Sequence, residues 1–371
     1  MAKLIQTEEE TMLQDAARAL LEKSAPVSRL RELRDQGRTR DDALWQEMVA
    51  AGWAGILVPE AAGGVDMGHA AAHVLAREMG RNLTVSPFLS TAIIAATVLR
   101  RCDETRSQSA LSGIASGSRT YALALDESVK FNPERVEFTA EKRGNGYVLS
   151  GEKRFVVDGS NASHVLVLAQ SEDGLCLFDL PADRTGVTRN STAMIDSRDA
   201  AQLVFDNVEV SGEELLGSAG EGAALLRYGL EAGQAALAAE TGGLSTAAFE
   251  MTIGYLKERK QFGVPISSFQ ALQHRAAHLW CEIELTASAI LHAGRMLDSD
   301  PGNATLAVSL AKARATDTAQ LAVREGVQMH GGIGMTDAYD MGFYMKRARV
   351  AAEWLGDYGY HAAQVARLRG F

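Results

Sequence analysis

Cysteine is scarce: Cys102, Cys176 and Cys281 are the only three in 371 residues, scattered and in no spacing that suits a metal or a redox pair. Proline occurs just 7 times, and the alanine-rich remainder leans helical. Positive charge is in deficit, with 37 basic against 47 acidic residues and a net charge of −10. An acidic surface argues against a nucleic-acid binder or an anionic-membrane binder, since both need a positive footprint. It leaves room for an anionic small ligand gripped by a local arginine. No signal peptide stands at the start and no apolar run is long enough to span a bilayer, so the chain reads as soluble and cytoplasmic. A Gly-x-Ser-x-Gly elbow, a Walker loop and internal repeats are all missing. Disorder is excluded by 46% hydrophobic and 23% charged residues, both near globular averages. The length is two to three domains' worth, enough to bury a core without staples.

The order along the chain is helical, then β, then helical. Thr7-Glu8-Glu9-Glu10 has the form of a capping box, with Leu13, Ala17, Leu20 and Leu21 following at helical spacing. A second helix carries Leu44, Trp45, Met48 and Val49 and stops at Gly52; further helical patterns cover 70–80 and about 90–101. From Tyr121 the pattern shortens into apolar or alternating runs at 121–125, 136–142, 146–149, 154–157, 165–169, 175–180 and 202–205, parted by Gly, Asn, Asp and Pro turns. Runs of that kind predict a compact antiparallel domain. Helical periodicity returns at Ala223 and predicts helices over 223–260, 269–297, 305–330 and 339–354, with a terminal one after them. Long helices with short links predict a C-terminal four-helix bundle. The expected fold class is α+β multidomain, with boundaries at 1–118, 119–220 and 221–371.

Among residues with chemistry, His274 and His278 stand one helical turn apart with His292 on roughly the same face. Arg275 follows His274 where a zinc-protease helix has glutamate, so no metal is expected. The turn Gly217–Gly222 precedes a helix and could cradle a phosphate, or could simply join domains.

The segment Tyr255-Leu-Lys-Glu-Arg-Lys-Gln-Phe-Gly-Val-Pro-Ile-Ser-Ser-Phe-Gln270 is more specific. It resembles, almost residue for residue, the signature at the second and third bundle helices of the acyl-CoA dehydrogenase family. Leu44-Trp45, Gly52-Trp53, Val58-Pro59-Glu60 and Gly63-Gly64 resemble the family's N-terminal domain. Phe205-Asp206-Asn207-Val208-Glu209-Val210 with Leu216-Gly217 resembles its exit from the β-domain, and Gln328-Met329-His330-Gly331-Gly332-Ile333-Gly334 its late glycine loop. The resemblance covers essentially the whole chain.

It implies FAD as cofactor, an acyl-CoA thioester as substrate, α,β-dehydrogenation as the reaction and an electron-acceptor flavoprotein as partner. The family's usual glutamate base falls at Leu355, and the alternative position on the first bundle helix falls at Gly233; neither can take a proton. Glu231 and Glu353 lie two residues away, about 200° round a helix and on the wrong face. No catalytic residue is therefore assigned. The threonine that holds the flavin ring is replaced by Ala124 within Tyr121-Ala-Leu-Ala-Leu-Asp-Glu-Ser, and the family's Trp-x-Thr reads Phe155-Val156-Val157. The residues that the resemblance assigns to the ADP side of FAD are present: Arg259, Gln261, Phe262, Gln270, Gln328, Gly331 and Gly332.

This pattern is similar to the small subunit of heteromeric acyl-CoA dehydrogenases, which act on bulky or dicarboxylic esters such as steroid side chains or pimeloyl-CoA. A catalytic sister subunit would supply the flavin bed and the base. The alternatives are a complete homotetramer with an unrecognised base, a flavin-dependent monooxygenase of the same fold, and a non-enzymatic assembly protein. Alanine, leucine and small residues around much of the C-terminal helices predict a partner helix, from a copy or a sister chain.

Overall fold

Thr7 caps the first helix in the way its spacing predicts. Its side chain accepts from the Glu10 N–H at 3.1 Å, and the Glu10 carboxylate accepts from the Thr7 N–H at 2.9 Å. The computed structural model describes residues 5–102 and 104–371. In chain order the helices before the sheet are α1 (Glu8–Ser24), α2 (Val27–Asp35), α3 (Asp42–Ala50), α4 (Gly68–Arg81), α5 (Ala96–Leu99) and α6 (Glu104–Ala115). A π-helical stretch, Phe88–Ala95, leads into α5. The strands follow: β1 (Tyr121–Ala124), β2 (Thr139–Arg143), β3 (Gly146–Val157), β4 (His164–Ser171), β5 (Gly174–Pro181), β6 (Val187–Ser191), β7 (Ala200–Ser211) and β8 (Leu215–Leu216). Then come α7 (Gly222–Glu258), the two-residue strands β9 (Lys260–Gln261) and β10 (Val264–Pro265), and α8 (Gln270–Ser299), α9 (Thr305–His330), α10 (Met341–Glu353) and α11 (Tyr358–Arg369). This is the expected order of an N-terminal helical domain, a middle β-sheet domain and a C-terminal helical domain.

In space the chain forms two compact units that do not follow that order. One contains Leu33–Gly68 and Val85–Gly233; the other contains the described part of Met1–Glu32 with His69–Thr84 and Gln234–Phe371. The first holds the sheet, in the order β6-β7-β3-β2-β4-β5-β8 with β1 on β4. Most pairings are antiparallel, as expected, but β1 and β2 each run parallel to β4. Strand β3 is continuous where the sequence suggested two short runs. Bulges between Leu149 and Gly151 and between Lys153 and Val156 break its alternation, and a period-2 reading fails there. Strand β6 escaped notice because almost all of it is exposed and polar. The sheet core is built from Phe138, Leu149, Val167, Phe178 and Phe205, with the Phe138 and Phe205 rings edge to face at 5.0 Å. The π-helical stretch is wholly buried. Its Thr91 hydroxyl accepts from the Tyr121 N–H at 2.8 Å and so ties β1 to it.

The second unit is all helical. Here α4 and α7 touch backbone to backbone. A Cβ on Gly80 would lie 1.8 Å from the Glu240 carbonyl oxygen, and one on Gly243 would lie 1.9 Å from that of Arg77. The buried Arg347 of α10 reaches the same crossing. Its guanidinium donates to Glu240 on α7 at 3.2 Å and to the Leu83 and Thr84 carbonyls at 3.3 Å each.

Gly243→Ala should therefore force the crossing apart and cost at least about 1–3 kcal/mol. Gly254, also on α7, faces open space, with nothing within 4 Å of where a methyl would stand, so Gly254→Ala should stabilise by about 0.4–1 kcal/mol. Denaturant melts of the two variants check the contrast, and equal effects would contradict it.

Candidate functional site

Helix α7 ends at Glu258, and the Arg259 N–H closes its last turn on the Tyr255 carbonyl at 2.9 Å. The chain then reverses within four residues. Gln261 pairs with Val264 and Lys260 with Pro265, while Phe262 and Gly263 hold φ values of 54° and 82°. Two successive left-handed residues are the mark of a type I′ hairpin turn. Glycine takes that conformation freely, whereas phenylalanine is strained in it. The turn aims the Phe262 ring outward: it is 92% exposed and meets the Phe269 ring edge-on at 6.1 Å. Arg259 is exposed, and its guanidinium has no hydrogen bond or ion pair among the described residues. Gln261 and Gln270 are exposed as well; the Gln261 side chain donates to the Lys260 carbonyl at 2.8 Å.

The glycine loop comes to the same end of this helical unit. His330, the last residue of α9, is buried. Its Nδ1 donates to the Gly326 carbonyl at 2.6 Å, which leaves Nε2 to accept from the Tyr339 hydroxyl at 2.9 Å. The Tyr255 ring lies 4.6 Å from the His330 ring, fixing the last turn of α7 against the end of α9. Desolvation lowers the His330 pKa and keeps the ring neutral, as this bonding pattern requires. Beyond it Gln328, Gly331 and Gly332 are exposed, and a Cβ on either glycine would meet nothing within 4 Å. Seven exposed residues from two distant segments are thus carried on one scaffold, joined through the Tyr255–His330 contact. The Tyr255–His330–Tyr339 stack was not noticed in the sequence, although Tyr255 and His330 lie within the signature segments quoted there.

Leu355 sits in the link between α10 and α11. It is 3% exposed and left-handed, with φ 59°. Its carbonyl accepts from the Gln234 side chain at 3.1 Å and from His361 Nε2 at 3.0 Å. The next carbonyl, Gly356, accepts from the buried Lys312 ammonium at 3.0 Å, and so does Ala351 at 2.9 Å. Asp357 accepts from the Tyr360 N–H at 2.8 Å and caps α11. The backbone here is clamped from three helices while the side chain it carries is hydrocarbon. Of the nearby acids, Glu353 pairs with Arg349 at 3.1 Å and Glu231 with Arg227 at 3.6 Å. Gly233 immediately precedes Gln234 on α7. Lys312, Gln234 and His361 were missed by sequence reasoning; the one signal was a lysine within an alanine-rich helix.

In the β-containing unit, Ala124, Val156 and Val157 are buried, while Phe155 is half-exposed with φ 50°. The run after Ala124 folds onto the sheet. The Glu127 carboxylate accepts from Lys153 Nζ and from the Glu137 N–H, each at 2.6 Å. Burial lowers the Lys153 pKa, with Glu127 opposing. The turn Gly217–Gly222 is explained by close chain approach. A Cβ on Gly220 would lie 2.3 Å from the Asp173 carbonyl oxygen, and one on Gly222 would lie 2.5 Å from the Leu177 nitrogen. His274 and His278 are exposed on α8, and no group of three or more metal-ligating side chains occurs among the described residues.

Comparison with known proteins gives consistent matches. The acyl-CoA dehydrogenase N-terminal domain model matches residues 7–118 and the C-terminal domain model residues 220–368. A probable acyl-CoA dehydrogenase, YngJ of Bacillus subtilis, is 30% identical over 275 residues, 71% of each chain. The acyl-CoA dehydrogenase FadE12 of Mycobacterium tuberculosis is 29% identical over 324 residues, covering 83% of this chain and 82% of its own. A solved variant of the Tcur3481-Tcur3483 steroid ACAD superposes with a TM-score of 0.89 at 32% identity over 98% of both chains.

The clamp carries a pH signature. Burial lowers the Lys312 pKa from its ordinary 10.5 to about 7. Above pH 7 the unfolded chain keeps a proton that the folded chain has released, so stability contributed here rises from about pH 7 towards 10. Lys312→Met should flatten that rise in pH-dependent melts, and an unchanged slope would contradict it.

Proposed function

The chain belongs to the acyl-CoA dehydrogenase family of FAD-dependent oxidoreductases, and on that premise we propose that it is the non-catalytic subunit of a heteromeric dehydrogenase. In this reading it lends the ADP-side grip on FAD to a sister subunit that carries the base. The observation that carries the reading is Leu355: a buried leucine in a tightly held backbone, at the position where the resemblance sets the glutamate. Abstraction of an α-proton needs an aimed base of suitable pKa, and a hydrocarbon side chain supplies none.

The fit of FAD to this chain is divided. On the ADP side Arg259 offers an unengaged guanidinium, the kind of group that binds pyrophosphate by charge-assisted hydrogen bonds. Gln261, Gln270 and Gln328 add amide donors, Phe262 adds a flat apolar face, and Gly331 and Gly332 leave space for close approach. On the flavin-ring side the fit fails, because Ala124 and Val157 carry no hydroxyl. When bound, FAD supplies the hydride acceptor. The partner that completes the site is then a second acyl-CoA dehydrogenase subunit. Its docking surface would include the exposed Phe262 and the Trp280 and Leu285 side chains of α8, 47% and 59% exposed. The acyl-CoA, with a steroid side chain as the favoured class, would react in the sister's site, and an acceptor flavoprotein would reoxidise the cofactor. The steroid relative, known under two joined names, supports both the substrate class and the pairing.

Purified alone, the chain should reduce no flavin with any acyl-CoA; co-purified with its sister, it should form a complex that retains FAD. In that complex Arg259→Ala should weaken FAD by about ten- to a hundredfold while leaving the fold intact. Leu355→Glu should restore little activity to the isolated chain, since the ring contacts stay absent. Robust dehydrogenation by the unmodified chain, or unchanged FAD content in Arg259→Ala, would overturn the assignment.

A further inference from the structure

Within the helical unit, α4, α7 and α8 leave a cavity of about 240 Å³ beside the glycine crossing. Val74, Ile283, Ile290 and Leu291 give it an apolar wall, Gln6, Thr246 and Ser288 add polar groups, and Arg77 also lines it. The exposed Ile5 and Glu284 mark where it reaches the surface. From this arrangement we infer that the cavity is a binding site for a small monocarboxylate with a short aliphatic body, its carboxylate held by Arg77.

Arg77 is the cation at this cavity. It is only partly exposed, yet its guanidinium makes no hydrogen bond or ion pair among the described residues. The chain has ten more acids than bases, and arginines nearby are paired. Arg18 and Arg81 share the buried Glu78, at 3.1 and 3.5 Å, and Arg81 also takes Glu250 at 2.6 Å. Burial works against the charged form of Arg77; Glu78, and more weakly Glu284, act on it through space in favour of the charge, while Arg81 and Arg18 oppose it. A partly desolvated cation facing a hollow with an apolar wall is stabilised most by an anion that also fills the hollow.

Charge and size narrow the ligand. His73 forms part of the lining but adds no positive charge. It is 5% exposed, burial pushes its pKa down to about 3, and its ring lies in the space left by Gly294, where a Cβ would come within 2.9 Å of Nδ1. With one cation inside and the Glu284 carboxylate at the rim, a singly charged ligand suits the site and a phosphate dianion does not. The volume is below the roughly 300–1,000 Å³ of sites for drug-sized molecules, which favours a compact ligand.

The test is calorimetry on the full chain with sodium hexanoate, 1-hexanol and inorganic phosphate as probes. Hexanoate should bind, and the alcohol and phosphate should bind at least about tenfold more weakly. Arg77→Gln should weaken hexanoate by about tenfold or more, and Arg77→Lys should recover part of the loss. Ala287→Phe, which fills the cavity from α8, should abolish binding while circular dichroism stays unchanged. Equal affinity of hexanoate for the unmodified chain and Arg77→Gln would overturn the inference, as would no heat up to about 10 mM hexanoate. A change in oligomeric mass on Arg77→Gln without a change in hexanoate affinity would also overturn it, assigning Arg77 instead to an interface with another protein chain. The readouts need neither FAD nor a sister subunit, so they stand apart from the test of function.

Discussion

Two helices can press backbone against backbone only where no Cβ stands between them, and Gly80 and Gly243 meet that condition for α4 and α7. Much else in the helical unit is arranged around this contact. It carries Glu240 towards the guanidinium of Arg347, and it turns the end of α4 so that the Leu83 and Thr84 carbonyls face the same group. The Tyr344 hydroxyl donates to the Arg81 carbonyl at 2.7 Å, from the same helix as Arg347. A buried charge of this kind is tolerable because donors and acceptors surround it. The crossing also holds residues 69–84 against helices more than 150 positions later in the chain, which is why the spatial units depart from chain order.

The two halves of the candidate site are held with different rigour. At the open end of the helical unit the scaffold is packed and the groups proposed to meet FAD are exposed. The Tyr255–His330–Tyr339 stack is buried or half-buried, whereas Arg259, Gln328 and the Phe262 ring stand in solvent. That is the form of a surface completed by something outside the chain. Around Leu355 the reverse holds, with the Ala351, Leu355 and Gly356 carbonyls engaged and no polar side chain offered at that position.

The sequence made the helices legible where caps and apolar spacing agreed, as at Thr7 and in the helix of Trp45 and Met48. Two short helices, α2 and α6, were passed over: their buried apolar residues, Leu30 and Leu33 in one and Leu111 and Ile114 in the other, are few among charged or polar neighbours. The stretch from Phe88 is helical as expected, but being buried on all sides it gives no periodicity from which a π-helix could be told from an α-helix. Parallel pairing of β1 with β4 was invisible because alternation within a strand says nothing about the direction of its neighbour. In the site, the motif residues were legible because they lie in contiguous signatures. Lys312, Gln234 and His361 were not, since each acts on a backbone carbonyl from a different helix, and that leaves no mark on local spacing.

An acidic side chain at position 355 would have to be taken out of water at a place that is now sealed, and its charge would weaken the fold that aims it. Leucine removes that conflict. Its hydrocarbon joins the interior, and hydrogen bonds to its carbonyl hold the left-handed turn. On the proposed division of labour, a chain freed from carrying the base converts an active-site liability into core. Shared enzymes of this design would divide not only chemistry but also strain, with one subunit holding the destabilised groups and the other supplying the sturdier frame around them.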